Sequence, residues 1–368
     1  MSIKVTKFGG TSLATTENIL KAKAIVQSDK TRRFIVVSAP GKIIGMKSSK
    51  VTDLLIDAYT EMCLNQKTSI SSSLGKVIEK FETLASELNV DIDAELERTL
   101  DEIEINKCNR DFVISRGEYL MGILFARILG YRFVDATKLI VLNKNGRVNE
   151  EKTRLRFQKF FQNTSLSEGI VMGGFYGCEV DGKIKLMERG GGDYSGAIAA
   201  TCTNACLYEI FTDTNGVQTA NPAIVQNTKT ISRIDFSKLY KLAKGGASVI
   251  FPDCLPLLSK HSIPLVIDNT LDPHVNFTVV SDKKLCPPFT DKWFSLTYKT
   301  HSNINKNTTE VLCICNKLKI SHEEIKKLLS AYEAHILQFK ATEFTILIDT
   351  ILTEVIIKKL HDFMSHSF

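Results

Sequence analysis

Ile3-Lys4-Val5-Thr6-Lys7-Phe8-Gly9-Gly10-Thr11-Ser12 reads as a short apolar strand running into a glycine turn. A helix is expected from near Thr16, because Ile19, Ala22, Ile25 and Val26 share one face. Phe34-Ile35-Val36-Val37-Ser38-Ala39 is then an unbroken apolar strand. Strand, helix, strand, with both strands apolar throughout, predicts parallel strands covered on two faces. The pattern recurs. Helices are expected over 51–64, 71–88, 117–129 and 193–203, and apolar strands over 169–172, 207–212 and 264–267. The expected fold is α/β, an open, mainly parallel sheet sandwiched by helices, occupying residues 1–285.

Cys286-Pro287-Pro288-Phe289-Thr290-Asp291 breaks the pattern, since adjacent prolines neither continue a helix nor sit in a central strand. A domain boundary is expected there. Beyond it, strands over 293–300 and 311–315, a helix over 323–334, strands over 336–340 and 344–349 and a helix over 352–363 predict a small α+β module, 291–368, of β-β-α-β-β-α order. No closing strand follows the last helix, so either a partner completes this sheet or the module is degenerate.

The 368 residues are 43% apolar, and Lys+Arg 47 against Asp+Glu 41 leaves +6, which excludes a disordered chain and argues for more than one domain. That surplus is too small to argue for nucleic-acid binding. No run approaches the roughly 18 apolar residues of a membrane span. Nine cysteines without a paired zinc spacing suggest reduced thiols in a cytoplasmic chain.

Two glycine loops carry the chemistry. In Lys7-Phe8-Gly9-Gly10-Thr11-Ser12 a cation ends a strand and two glycines precede a helix, so backbone N–H groups can approach a phosphate closely. Alone, this would more often be a tight turn beside a surface lysine. It is not a Walker A loop. Glu188-Arg189-Gly190-Gly191-Gly192-Asp193-Tyr194-Ser195 also opens a helix, and three consecutive glycines are costly to order unless the backbone passes close to something. Arg189 can fork onto a carboxylate or phosphate, and Asp193 could cap the helix or orient a cation. Two anion-binding turns in one α/β domain suit phosphoryl transfer between anionic substrates. Thr212-Asp213-Thr214-Asn215-Gly216 follows a strand, where ligand crevices of open α/β sheets lie, although Asn-Gly is often only a turn. Ser115-Arg116-Gly117-Glu118 is expected to open a helix, with Glu118 either functional or merely compensating the helix dipole. The seven histidines fall late and lack metal spacing, so surface or capping positions are expected for them. The acidic run 91–104 reads as the solvated face of a helix.

Together these residues resemble the aspartate kinase (aspartokinase) family of the amino-acid kinase superfamily. Val5-Thr6-Lys7-Phe8-Gly9-Gly10-Thr11-Ser12-Leu13 is similar to its N-terminal signature at every position. Val36-Val37-Ser38-Ala39-Pro40-Gly41, Val51-Thr52-Asp53-Leu54-Leu55, Ser115-Arg116-Gly117-Glu118, Arg189-Gly190-Gly191-Gly192-Asp193, Thr212-Asp213-Thr214-Asn215-Gly216-Val217 and Gly246-Ala247-Ser248-Val249-Ile250-Phe251-Pro252 match later motifs in order.

The resemblance implies transfer of the γ-phosphate of ATP to the side chain of L-aspartate, the first step toward lysine, threonine, methionine and diaminopimelate. It implies Lys7 and Asp193 as catalytic residues, with Asp193 holding Lys7. Arg189 would clamp the substrate α-carboxylate, Glu118 would pair with its ammonium, and Ser38 and Thr52 would complete the pocket. Lys7, Gly9, Gly10, Gly190, Gly191, Thr212 and Asp213 would hold the nucleotide, and Mg2+ would be held mainly by phosphates rather than by protein ligands. A homodimer is implied, as is an amino-acid effector at an ACT-like module. Members usually carry two such modules, and 291–368 has room for one, so weak or absent feedback inhibition is expected.

Ser248, Phe251 and Gln218 depart from the family on the nucleotide side, where a lysine, a histidine and an aromatic residue usually stand. They keep open a catalytically impaired homologue that binds an amino acid or supports a partner subunit. A sister kinase acting on glutamate, acetylglutamate or UMP fits Glu118, Arg189 and the added module less well.

Overall fold

Val5 to Phe8 in β1 (Lys4–Phe8) and 34–37 in β2 (Arg32–Val37) are buried at every position, so 34–37 is an unbroken apolar run while β1 buries Thr6 and Lys7 between Val5 and Phe8. The structure, a computed structural model, describes residues 2–43, 45, 49–64, 71–188, 190–282, 292–302, 307–316 and 320–367. Arg189 and the Pro287-Pro288 break lie outside the described residues.

The chain divides into two compact units, Met1–Asp213 with Asp268–His274, and Thr214–Ile267 with Val275–Phe368. In the first unit α1 (Thr16–Gln27) links β1 to β2, and the Thr15 hydroxyl caps it by accepting from Asn18 N–H. There follow α2 (Val51–Leu64), α3 (Ser72–Glu87), α4 (Asp93–Ile105), α5 (Arg110–Leu129), β3 (Arg132–Phe133), α6 (Glu150–Gln162), β4 (Ile170–Gly173), the hairpin β5 (Tyr176–Cys178) and β6 (Ile184–Leu186), α7 (Gly191–Cys202) and β7 (Leu207–Thr212). The strand order β3-β4-β2-β1-β7 is parallel throughout. The register sets Phe8 beside Val37 on one side and Phe211 on the other, and Val37 beside Gly173. The ladder runs on past these pairs, through Gly9 N–H to Phe211 O at 3.0 Å and Ser38 N–H to Phe8 O at 3.2 Å. The loops after four strands therefore leave the sheet along one edge.

α5 begins seven residues before Gly117, capped by Asn109, so Ser115 to Glu118 lie inside the helix rather than at its start. Compensation of the dipole thus does not account for Glu118. The acidic run does fall on α4, which buries Leu96, Thr99 and Ile103 and leaves most of its carboxylates outward. Beneath the sheet Arg32 forks onto Glu209, Nε to Oε2 at 2.8 Å and Nη2 to Oε1 at 2.9 Å, while Thr6 Oγ1 donates to Oε2 at 2.9 Å.

The second unit holds β8 (Arg233–Ile234), α8 (Phe236–Lys244), α9 (Cys254–Lys260), β9 (Leu265–Asn269) as far as Ile267, β10 (Thr278–Val280), β11 (Phe294–Ser302), β12 (Asn307–Cys315), α10 (His322–Leu329), β13 (His335–Lys340), β14 (Glu343–Asp349) and α11 (Thr353–Ser367). The expected β-β-α-β-β-α order is present. Its antiparallel sheet runs β11-β12-β14-β13, around a core that includes Val311, Phe344, Ile346, Ile356 and Leu360. β11 stands at one edge of this sheet, beside β12, and β13 at the other. Leu296 N–H in β11 also donates to Thr219 O at 2.8 Å, within the same unit. One histidine departs from expectation: His361 is 3% exposed, within 3.0 Å of Thr219 Oγ1, and burial lowers its pKa. Among the described residues no helix is long and apolar enough to cross a membrane.

Candidate active site

Lys7 leaves β1 pointing at the first turn of α7, where its Nζ lies 2.7 Å from Asp193 Oδ1. Both side chains are largely buried, at 11% and 18% exposure, so the pair is screened less than a surface ion pair. Gly190 caps α7 at φ 60°, ψ 19°, a left-handed turn that other residues adopt only at a cost. Gly192 is needed for a different reason: a Cβ there would stand 3.0 Å from Ser38 Oγ and 3.1 Å from Lys7 Cε. The missing side chain is the space through which Lys7 passes.

Gly10 closes the second side, its carbonyl accepting from Gly41 N–H at 2.8 Å, so the loops after β1 and β2 are joined. Thr212 and Asp213 end β7 next to Gly9. Thr212 Oγ1 donates to Asp213 Oδ1 at 3.2 Å, and Asp213 is exposed. The structure thus gathers Lys7, Gly9, Gly10, Ser38, Gly190, Gly191, Asp193, Thr212 and Asp213 along one edge of the sheet. This edge is glycine-lined, with a fixed cation in Lys7 and the N-terminus of α7, a combination suited to a phosphate chain.

Glu118 is 5% exposed on α5, and its Oε2 is buried without a hydrogen-bond partner. Burial raises its pKa to about 7, against the opposing effect of a hydrogen bond from the Ala39 backbone. Ala39 follows Ser38, so the orphaned carboxyl faces the same loop that flanks Gly192. A buried acceptor of this kind is completed by a donor or a cation. Thr52, near the start of α2, lines a cavity of about 350 Å³ with Arg110, Asp111, Phe175, Lys185 and Met187. Neither Lys7 nor Glu118 lines that cavity. Gln218 lies in the second unit, where its amide donates to Asn215 O and to Thr230 Oγ1, and Ser248 of that unit is exposed.

Two features were missed in the sequence. Phe175 holds φ 74°, rare for an aromatic residue, with its N–H donated to Ser195 Oγ at 3.0 Å and its ring packed where a Cβ on Gly191 would be. Gly173-Gly174, directly after an apolar strand like Gly9-Gly10, was the available signal. Thr270 is the second: its Oγ1 donates to Ser12 Oγ at 2.6 Å and its N–H to Thr212 O at 2.8 Å, bracing the loop after β1 against the end of β7. Nothing in local sequence marks that contact.

Residues 2–269 match the model of the amino acid kinase family. Aspartokinase 3 of Bacillus subtilis is 34% identical over 298 residues, 77% of this chain and 64% of that protein. Lysine-sensitive aspartokinase 3 of Escherichia coli is 30% identical over 315 residues, 78% of this chain and 66% of that protein. The chain thus spans just under two thirds of the length of these relatives. Among solved structures, the aspartate kinase of Clostridium acetobutylicum superposes with a TM-score of 0.80 at 25% identity, covering 98% of this chain and 99% of that one. E. coli aspartokinase III in complex with aspartate and ADP superposes at 0.77 and 21% identity over the same shares, a likeness of fold.

Proposed function

Because the chain belongs to the amino acid kinase family, we propose that it transfers the γ-phosphate of ATP to the side-chain carboxylate of L-aspartate, giving 4-phospho-L-aspartate. The Lys7–Asp193 pair between two glycine loops is the observation that carries this reading. Aspartate, with a reference pKa near 3.9, is already ionised at neutral pH, so the reaction needs no general base. A carboxylate oxygen bonds to the γ-phosphorus as the bond to the β–γ bridging oxygen breaks, and ADP leaves with that electron pair. The protein's work is to hold two anions in line and to offset charge on the moving phosphoryl group.

Lys7 supplies the cation, and Asp193 holds Nζ in place so that it need not reorganise during transfer. The amides of Gly10, Gly190 and Gly191 approach the phosphates, while Thr212 and Asp213 contact the nucleoside. Gly9 N–H is already donated to Phe211 O, so Gly9 contributes the room its missing side chain leaves beside Lys7. Glu118 receives the substrate ammonium, which would satisfy its orphaned Oε2. Ser38 and Thr52 complete the amino-acid pocket, with Arg189 on the α-carboxylate. Among the described residues no three His, Cys, Asp or Glu side chains converge as a metal site. Mg2+ would enter with the nucleotide phosphates and supply charge neutralisation there.

In the same reading residues 1–285 are the kinase domain, 291–368 form one ACT-like module open to an amino-acid effector, and the chain pairs with a second copy. The departures at Ser248, Phe251 and Gln218 favour a second reading, an impaired homologue that binds an amino acid without turning it over. Trapping the acyl phosphate with hydroxylamine separates the two, since only the kinase forms aspartyl hydroxamate.

A further inference from the structure

We propose that the first unit carries a second anion site, for a compact di- or triphosphate group, built from Arg132, Lys138, Arg156 and Lys159. These four cations line a cavity of about 680 Å³, which no Asp or Glu lines and to which no residue of the site above contributes. Distant stretches of chain supply them. Arg132 lies in β3, Lys138 ends the 3-10 turn Ala136–Lys138, and Arg156 and Lys159 sit three residues apart on one face of α6.

Several cations elsewhere in this unit are paired, Lys4 with Asp29, Lys7 with Asp193, Arg127 with Glu95 and Lys185 with Asp111, while others among the described residues stand singly on the surface. None of the cavity's four forms an ion pair among the described residues. Like charges three residues apart on a helix destabilise it, and four in one concavity sum to a strong positive potential that concentrates anions. Arg156 is also preset. Its Nη1 donates to Thr137 O at 2.6 Å and Cys178 Sγ at 3.0 Å, which fixes the guanidinium and leaves Nε and Nη2 without acceptors among the described residues. Arg132 is steadied over the Phe160 ring, 5.6 Å from its centroid. Two oriented guanidinium forks flanked by two exposed ammonium groups match the oxygen geometry of a phosphate chain better than that of a single carboxylate. The group could arrive as free pyrophosphate or as the diphosphate of a nucleotide.

Calorimetric titration of the full chain with pyrophosphate tests this, using Lys7→Ala to remove phosphate binding at the glycine loops. Saturable binding is expected to persist in Lys7→Ala, to weaken about tenfold or more when Lys138→Ala and Lys159→Ala are added, and to weaken steeply with salt. Both lysines are exposed, so these variants fold, and unchanged circular dichroism checks it. Lys159→Glu alone should weaken binding at least as much as Lys159→Ala. Titration of Lys7→Ala with ADP separates the sources: affinity equal to that of pyrophosphate assigns the site to a nucleotide diphosphate, and no affinity assigns it to the free ion. Loss of all pyrophosphate binding in Lys7→Ala, or binding indifferent to the cavity substitutions, would overturn the proposal.

Discussion

Lys7 Nζ and Asp193 Oδ1 stand 2.7 Å apart, so the end of β1 and the first turn of α7 are tied by one largely buried ion pair. Lys7→Ala removes a preorganised donor from the transferring phosphoryl group, and kcat should fall about 10²- to 10³-fold. Asp193→Asn keeps the cation but loosens it. Its kcat should fall less, with KM for ATP changed little, and steady-state kinetics of both variants read the difference.

Gly192→Ala should separate activity from stability. The added Cβ meets Ser38 Oγ and Lys7 Cε, the ends of side chains that can move aside, so thermal stability should change by no more than about 1 kcal/mol. Activity should nonetheless drop at least tenfold, because Lys7 is what moves. Equal losses of melting temperature and activity would assign Gly192 to packing instead.

Glu118 gives the pH dependence. Its carboxyl is raised to about 7 by burial, so the folded protein holds that proton where the unfolded chain has released it. The stability this contributes is complete below the unfolded pKa near 4.5 and is lost as pH rises through about 7. Glu118→Gln should flatten that slope in chemical denaturation and leave the ligand-free protein more stable than wild type at pH 8, by an amount on the order of 3 kcal/mol. Substrate binding should run the opposite way. The ammonium needs the ionised carboxylate, so KM for aspartate in the wild type should rise about tenfold for each pH unit below the pKa. In Glu118→Gln it should be high and flat.

Arg32 and Glu209 test what holds the sheet. Each side chain is 4% exposed, and Glu209→Ala leaves a guanidinium in the core with only its bonds to Ile25 O and Ser28 Oγ. Denaturation should show a loss of about 3–5 kcal/mol, larger than for Lys21→Ala, whose pair with Glu17 is exposed.

The strand, glycine turn and helix from Lys4 to Gln27 were legible because their determinants are neighbours: an apolar run, two glycines, a threonine cap. The start of α5 was not. Phe112 to Glu118 and Leu120 to Ala126 are all buried, so this helix has no polar face to give a period, and the glycine at 117 read as a beginning. In the second unit the strand and helix order after the Pro-Pro break was readable, with 311–315 inside β12 and 323–334 overlapping α10, but the role of β11 was not. Which strand fills an edge is a property of the assembled sheet. The Arg32–Glu209 pair, the Thr270–Ser12 bond and the burial of His361 likewise join residues far apart in the chain, where spacing carries no information. Lys7, Gly9 and Asp193 could be read as a site because a strand end and a helix start each declare themselves locally.

The proposed reading of 291–368 as one ACT-like module yields a regulatory expectation: lysine titrated into an activity assay should inhibit weakly or not at all. Inhibition at micromolar lysine would show that a single module suffices.

The kinase reading stands most directly on aspartyl hydroxamate formation by the purified chain with Mg2+, ATP, L-aspartate and hydroxylamine. Wild-type protein should accumulate hydroxamate in proportion to ADP, with Lys7→Ala reduced to background. No hydroxamate from correctly folded wild-type protein at any ATP concentration, while aspartate still binds, would make this chain an amino-acid-binding homologue rather than a kinase.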